Sequence, residues 1–301
     1  MRWGLAALGA ALSFAGAAPA WGYVRTHVDP NDDDSPCLFW GRRTVPYQLS
    51  ARGMGPGDQA DVFAALRRSL QQWTDVGCSD FAYQDDGLSQ SLDTGFNITL
   101  LNQPMLVRDL AAHNVVLFRS QLCADVVPAG DDCEDPDNDD CENTYDCWNY
   151  PDGVIALTTT TYNFETGEIF NATMELNQAE FDFTTVDAGP PCLVGGTAAC
   201  IGTDLRNTVT HESGHMLGLG HSLDPTATMY FSAGPNETSK RDLAPDDIQA
   251  LCDIYPPGQP ALTCGDAPKG NPGCGCSEGD GFFAVPLVLL GLAWRRRRRA
   301  R

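Results

Sequence analysis

A chain of 301 residues can bury one large core or at most two small ones. Its hydrophobic content of 43% and aromatic content of 9% are ordinary for globular proteins, which excludes wholesale disorder. The formal net charge of −21 argues against nucleic acid as a partner, because a phosphate backbone is bound by Lys and Arg.

The N-terminus has the pattern of a secretory signal peptide over residues 1–20. A lone arginine precedes an apolar stretch over 3–18, and a small-residue site follows at Ala18-Pro19-Ala20. A buried N-terminal helix is the alternative, which the glycines in the stretch disfavour. We expect an exported protein, either secreted or anchored to the cell envelope, with a short N-terminal segment at 21–35.

The first predicted strand is Thr44–Leu49, and its Pro46 favours a position at the edge of a sheet. A helix is predicted over Gln59–Trp73, with Asp58 as its N-cap and with Arg67 and Arg68 facing outward. Its apolar side chains recur at helical spacing: Val62, Phe63, Leu66, Leu70 and Trp73.

Shorter elements are predicted further along the chain. Phe96–Leu101 and Val115–Phe118 are short apolar strand candidates. The strand-like runs Val154–Tyr162 and Ile169–Leu176 flank a turn around Gly167, which is the pattern of a hairpin.

Two helices are predicted in the last third of the globular part. The first covers about Asp204–Leu217, and the second covers about Pro245–Tyr255, where Pro256-Pro257 ends it.

Twelve cysteines form an even set, as expected in an oxidising compartment. No Cys-x-x-Cys pair occurs, which disfavours a cysteine-built zinc ribbon. Structural disulfides are the favoured interpretation; Cys192 and Cys200 are candidate partners, although spacing does not decide the connectivity.

Residues 123–147 form an acidic segment bracketed by cysteines, which we interpret as a loop insertion and not as a core element. Asp135, Asp137 and Asp139 alternate in a way that suits Ca²⁺, but the glycine and distal glutamate of an EF-hand loop are missing. A solvated loop pinned by disulfides is favoured over a Ca²⁺ site. Steering of basic substrates by its negative charge is a third interpretation.

The stretch from His211 to His221 reads His-Glu-Ser-Gly-His-Met-Leu-Gly-Leu-Gly-His. A spacing of four residues puts His211 and His215 on one helix face, where both imidazoles can reach one Zn²⁺. Glu212 lies beside them and can take a proton from water. The glycines that follow let the chain turn and bring His221 back as a third ligand.

Three protein ligands leave a fourth position open for water, which is typical of a catalytic zinc site. A chance match or a pair of core histidines is the alternative for a bare H-E-x-x-H. The extended motif H-E-x-x-H-x-x-G-x-x-H fixes five positions and holds three of the five histidines in the chain, which disfavours chance.

The extended motif resembles the metzincin signature, and its continuation is similar to the matrixin branch, the relatives of the matrix metalloproteinases. Ser222 follows the third histidine, and the run to Tyr230 resembles the segment that leads into the matrixin Met-turn. By this resemblance Met229 is the Met-turn residue and forms an apolar floor beneath the zinc. A lone Met is otherwise more often core filler.

The resemblance implies an α+β fold with a twisted mixed β-sheet, an active-site helix and a C-terminal helix, which we place at residues 36–257. Leu243–Ile248 is similar to the family's closing helix with its paired acids. Val154–Tyr162 would be the edge strand that pairs with an extended substrate. The candidate contacts are Val154, Ile155, Ala156 and Leu157.

Three features depart from the family pattern. Phe231 stands where many members carry Pro. His27 and His113 are the only histidines outside the motif, so the three-histidine structural zinc site of vertebrate relatives cannot be rebuilt. No propeptide resembling the family's cysteine switch lies between Ala20 and Leu38, and Cys37 is interpreted as a disulfide partner.

Residues 258–280 read as a Pro/Gly-rich linker, and residues 281–301 as an apolar segment followed by arginines. The apolar stretch is shorter than the ~20 residues that span a bilayer, but the arginines suit a positive-inside stop. A basic nucleic-acid patch is the alternative. The arrangement resembles the sorting tails of myxobacterial surface proteins, which implies envelope anchoring after processing at Cys274 or Cys276.

Taken together, these features predict an exported zinc-dependent endopeptidase that cleaves protein or peptide substrates as a monomer. Zn²⁺ would activate a water molecule, and Glu212 would take the water proton and deliver it to the leaving amine. The alternative is a surface-displayed binding protein that keeps the fold without cleaving.

Overall fold

The computed structural model describes residues 22–55, 59–90, 114–134, 141–192 and 200–264. The strands in these ranges are β1 (Thr44–Ser50), β2 (Ala82–Ser89), β3 (Val115–Arg119), β4 (Ala156–Tyr162), β5 (Ile169–Asn177), β6 (Phe183–Thr184) and β7 (Thr203–Asp204). The α-helices are α1 (Gln59–Thr74), α2 (Cys123–Val126), α3 (Cys141–Tyr145), α4 (Leu205–Met216) and α5 (Pro245–Ile254). The predicted signal peptide, the Asp58 cap, the strand at Phe96–Leu101 and the C-terminal tail lie outside the described residues.

Five strands form one mixed sheet in the order β2-β1-β3-β5-β4. Strands β2, β1, β3 and β5 run parallel to one another, and β4 runs antiparallel to β5 at the edge. The predicted hairpin is therefore confirmed. It is a β4–β5 ladder that runs from the Ala156–Leu176 pair to the Tyr162–Ile169 pair.

The predicted edge position of Pro46 is wrong, because β1 lies inside the sheet between β2 and β3. A proline is tolerated here since the pairing of β1 with β3 begins only at Gln48. Before that point the side chain of Asn114 covers the strand, and its Nδ2 donates to the Pro46 carbonyl at 2.7 Å. Pro46 thus sits at a local edge, where no strand neighbour needs its missing N–H.

Helix α1 packs its apolar face into the core, as its sequence spacing predicts. Val62, Leu66, Leu70 and Trp73 are all buried. The indole Nε1 of Trp73 donates to the carbonyl of Thr210 at 3.0 Å. Because Thr210 directly precedes His211, this contact ties α1 to the helix that carries the histidine motif.

Strand β2 is an element that the sequence pattern does not predict. Its residues, Ala-Tyr-Gln-Asp-Asp-Gly-Leu-Ser, are mostly polar because it is an edge strand with one face in solvent. Its inward anchor is Tyr83, which is buried and donates its hydroxyl to the carbonyl of Ser213 at 2.6 Å. Burial raises the pKa of Tyr83 well above its usual value.

The acidic segment is not wholly a loop apart from the core, which corrects the prediction. It contains the short helices α2 and α3, and its bracketing Cys123 and Cys147 are buried and joined by a disulfide. Near its end Asp146 and Asn143 accept hydrogen bonds from the buried guanidinium of Arg119, at 3.2 and 2.9 Å.

Arg119 also donates to Glu175 on β5 through Nε at 2.6 Å, and both side chains are almost fully buried. The phenol of Tyr150 donates to the other Glu175 oxygen at 3.1 Å. A buried ion pair needs such additional hydrogen bonds to offset its desolvation. The last residues of the acidic segment are therefore part of the polar network that holds β3 and β5 together.

Disulfides among the described residues include Cys37–Cys264, Cys78–Cys252, Cys123–Cys147 and Cys192–Cys200. Their Cα–Cα distances lie between 4.8 and 5.4 Å. The pairing of Cys192 with Cys200 and the disulfide role of Cys37 agree with the expectations from sequence. Across the described ranges, no helix combines the length and apolarity that crossing a membrane requires.

Candidate metal centre

Helix α4 carries the histidine motif and is held firmly at its start. The N-cap Asp204 accepts from the backbone N–H of Asn207 at 2.8 Å. The guanidinium of Arg241 binds the same carboxylate, with Nε at 2.9 Å from Oδ1. The helix ends at Met216, and Gly218 follows with a φ of 92°.

Gly218 allows the turn that the sequence predicts. The positive φ is unfavourable for other residues, and a side chain at this position would collide with the Leu38 carbonyl. The chain reverses here and returns His221 to the face of α4 that carries His211 and His215.

The structure brings the three histidines together at one point. The Nε2 atom of His215 lies 3.2 Å from Nε2 of His211 and 3.1 Å from Nε2 of His221. A tetrahedral Zn²⁺ with Zn–N bonds of about 2.0–2.1 Å separates its ligands by about 3.3–3.4 Å. The residues present therefore fit a shared zinc ion held by three nitrogen ligands.

Hydrogen bonds at Nδ1 of two of the histidines determine which ring nitrogen is free to bind a metal. Nδ1 of His211 lies 2.7 Å from the Thr228 carbonyl, and Nδ1 of His215 lies 2.8 Å from the Leu219 carbonyl. Because a carbonyl oxygen only accepts, each Nδ1 must carry the proton and each Nε2 keeps its lone pair for a metal.

The imidazoles of His211 and His221 are also kept neutral, as metal ligands must be. Burial, together with the neighbouring His215 and the positive charge of Lys240, holds the pKa of His211 well below its usual value. The same causes lower the pKa of His221 to about 2.

Glu212 is buried beside the histidines. Thr158 of β4 donates its hydroxyl to Oε2 of Glu212 at 2.8 Å. Burial raises the pKa of Glu212, whereas the electrostatic effect of His215 and the hydrogen bond from Thr158 oppose the rise. A raised pKa suits a carboxylate that must accept and later release a proton near neutral pH.

Met229, the predicted Met-turn residue, is buried. Its carbonyl accepts from the N–H of Ser222 at 2.9 Å, next to the third histidine. Gly214 of α4 leaves room for its side chain, because a Cβ there would collide with the Met229 sulfur and with Trp73. The missing side chain at position 214 therefore lets Met229 approach the helix.

The paired acids at the start of α5 hold this turn. The buried carboxylate of Asp247 accepts from the N–H of Thr228 at 2.7 Å and from the N–H of Met229 at 3.0 Å. Burial raises the pKa of Asp247, and these hydrogen bonds oppose the rise. Asp246 accepts from the Ser222 hydroxyl at 2.8 Å. The two carboxylates thus support Ser222, which directly follows His221, and the Thr228–Met229 segment.

Lys240 is a buried cation near the site that sequence reasoning missed. Its Nζ donates to the carbonyls of Tyr230 and Ser232, at 2.7 and 2.6 Å, and it is only 4% exposed. Burial lowers the pKa of Lys240. A single lysine in a polar stretch carries no local signal of burial, so only the tertiary structure identifies it.

Phe231, which lies in sequence between Tyr230 and Ser232, is 43% exposed, and its ring lies 6.5 Å from that of His221.

The four candidate substrate contacts lie at the start of the edge strand. Ala156 and Leu157 begin β4, whereas Val154 and Ile155 precede it. The Val154 carbonyl accepts from Nδ2 of Asn177 at 2.8 Å, and the Ile155 carbonyl accepts from the backbone N–H of Asn177 at 2.9 Å. The candidate calcium ligands Asp135, Asp137 and Asp139 and the tail cysteines Cys274 and Cys276 lie outside the described residues.

Among the described residues, a second group with metal-ligand chemistry is His27 with Cys37 and Cys264. Nε2 of His27 lies 3.5 Å from Sγ of Cys37. The two sulfurs are joined in a disulfide and offer no thiolate, so the three-histidine group is the one suited to zinc.

The mixed sheet, the helix with its three converging histidines and the turn beneath them define an α+β, metzincin-like fold. Residues 148–256 match the model of the Matrixin family, so this part of the chain is similar to the matrixin metallopeptidases. The match covers α4, all three histidines, Met229 and α5.

Curated proteins show the same likeness over shorter stretches. Metalloendoproteinase 1-MMP of Arabidopsis thaliana is 46% identical over 57 residues, which are 19% of this chain and 15% of that protein. Metalloendoproteinase 1 of Glycine max is 50% identical over 52 residues, 17% of either protein. Human matrilysin is 40% identical over 55 residues, which are 18% of this chain and 21% of matrilysin. The alignments thus span only a small part of each relative.

Proposed function

We propose that this chain is an exported zinc-dependent endopeptidase that hydrolyses peptide bonds in proteins. The observation that carries the proposal is the convergence of three Nε2 atoms beside the buried Glu212. The Matrixin match and the similarity to named metalloproteinases support the same reaction. Residues 1–20 support export, and the C-terminal tail supports envelope anchoring.

His211, His215 and His221 would hold the metal. When bound, zinc supplies Lewis acidity and lowers the pKa of a bound water to about 7. The Glu212 carboxylate takes a proton from the attacking water and delivers it to the leaving amine. The carbonyls of Thr228 and Leu219 keep the imidazole rings oriented through Nδ1 during this exchange.

Substrate would bind as an extended strand along β4, with Ala156 and Leu157 at the end nearest the site. β4 is the sheet's edge strand, and edge strands bind peptides through main-chain hydrogen bonds. The Val154 carbonyl already accepts one hydrogen bond from Asn177.

For the acidic segment, a loop pinned by disulfides is favoured over a Ca²⁺ site. The Cys123–Cys147 disulfide ties its ends together, and Tyr145 donates to Asp131 at 2.6 Å within it. Asp146 is already paired with Arg119, which supplies positive charge without a metal.

The alternative function is a surface-displayed binding protein that retains the fold. A pure binder has no use for a carboxylate buried beside the metal ligands and hydrogen-bonded in place, so the Glu212–Thr158 contact favours the enzyme.

Hydrolysis of a quenched peptide library by the purified chain, beside its Glu212→Gln variant, tests the proposal. We expect zinc-dependent cleavage that a chelator stops, and a fall of about 10²–10⁴-fold in the variant, the range attributed to general acid–base catalysis. Equal zinc binding by both proteins, with cleavage by neither, would favour the binding protein.

A further inference from the structure

Thr158 contacts the proposed base directly from the edge strand. Its Oγ1 lies 2.8 Å from Oε2 of Glu212 and 3.2 Å from the main-chain carbonyl oxygen of the same residue. A hydroxyl has one hydrogen to donate, and the shorter distance and the negative charge both direct it to the carboxylate. The donor and acceptor roles in this contact are therefore defined.

The contact restricts a side chain that rotamer preference alone would leave free. The terminal torsion of a glutamate is broad, so the plane of an unsupported carboxylate is not determined by its χ angles. Thr158 sits on a well-anchored strand, where it pairs with the fully buried Met174 of β5. A donor fixed in the sheet holds Oε2, and this leaves Oε1 as the oxygen available to water.

We propose that Thr158 is a positioning residue for the hydrolysis, which orients Glu212 so that Oε1 faces the attacking water beside the three histidines. This inference rests on the proposed function. It also places two tasks on one strand, because β4 is the expected substrate-binding edge and supplies the hydrogen bond that orients the base.

The test compares four variants of the full chain with the wild type. Thr158→Val removes the hydroxyl at nearly constant shape, and Thr158→Ala does so with a smaller side chain in case the valine disturbs folding. Thr158→Ser keeps the hydroxyl. Thr166→Val is the matched control, because it removes a hydroxyl that accepts from the Glu168 N–H at 3.2 Å in the same hairpin, away from Glu212.

We expect kcat of Thr158→Val and Thr158→Ala to fall about tenfold to a hundredfold, the range that a hydrogen bond to a charged group supports. KM should change less than about threefold, because the lost contact acts in the chemical step. Thr158→Ser should recover most of kcat, and Thr166→Val should match the wild type. In a Glu212→Gln background, Thr158→Val should cause little further loss, since the two residues act as a unit.

Wild-type kcat in the hydroxyl-free variants would overturn the inference, as would an equal fall in Thr158→Ser. A second readout does not depend on activity: crystal structures of the zinc-loaded wild type and Thr158→Val. We expect one Glu212 conformer in the wild type and several in the variant, and an unchanged single conformer would contradict the inference. If the wild type binds zinc without cleaving any peptide, the proposed function fails, and the crystal structures still decide whether Thr158 orients Glu212.

Discussion

Asp247 indirectly supports His211, the first proposed zinc ligand, and replacing Asp247 by Asn should weaken both the fold and the proposed metal site. Its Oδ2 accepts from the N–H groups of Thr228 and Ala244, at 2.7 and 3.1 Å, and its Oδ1 accepts from Met229 at 3.0 Å. An asparagine has one acceptor oxygen, so at least one buried N–H would face an amide donor instead.

The magnitude follows from the number of donors affected. A buried donor that loses its acceptor costs about 1–3 kcal/mol, so one or two of them lower the free energy of unfolding by about 3 kcal/mol. Asp247 also holds the backbone of Thr228, whose carbonyl accepts from Nδ1 of His211, so the substitution loosens this contact as well. Loss of such indirect support typically weakens metal affinity by about 10–100-fold.

Urea unfolding followed by tryptophan fluorescence measures the first effect, and competition with a chromophoric chelator measures the second. Asp246→Asn is the matched control, because it makes the same chemical change one residue away. Its Ser222 partner is a hydroxyl that can accept as well as donate, so we expect a loss below about 1 kcal/mol. Equal unfolding free energies and equal zinc affinities for the two variants would refute the reasoning.

Three further outcomes are expected. Gly214→Ala should lower the free energy of unfolding by about 1–3 kcal/mol in the urea assay, because its methyl group collides with Met229. Arg119→Met should lower it by about 3–5 kcal/mol at neutral pH, since Glu175 is left as a buried charge without its partner, and a loss below 1 kcal/mol would contradict the buried pair. Lys240→Met removes the donor to the carbonyls of Tyr230 and Ser232, so the cleavage specificity measured with the peptide library should broaden; an unchanged profile would show that Lys240 has no part in shaping that segment.

Elements with strong local signals could be predicted from the sequence alone. Helix α1 has apolar residues at helical spacing, the β4–β5 hairpin has its turn at Gly167, and α4 starts after the capping residue Asp204. Strand β2 was missed because an edge strand with one solvent face needs few apolar residues. The rule that proline avoids paired strand positions is correct locally, but the edge prediction for the whole strand was wrong. The group opposite Pro46 is the side chain of Asn114, which is distant in sequence and could not be foreseen.

The convergence of the three histidines was predictable for a specific reason. His211, His215 and His221 lie within eleven residues, and one helical turn and one glycine turn are enough to bring them together. Local geometry alone therefore determines this part of the site.

The surroundings of the ligands depend on contacts between residues distant in sequence. Thr158 reaches Glu212 from another layer of the fold, and Asp247 supports His211 through the Thr228 carbonyl. Lys240 is buried and donates to the carbonyls of Tyr230 and Ser232. These side chains have ordinary neighbours in sequence, and their roles arise only when sheet and helices pack. The sequence by itself determined the three clustered histidines, the glutamate proposed as the base and the helix that carries them. The tertiary structure decided how those groups are oriented, because orientation depends on hydrogen bonds between elements that only the folded chain brings within 3 Å.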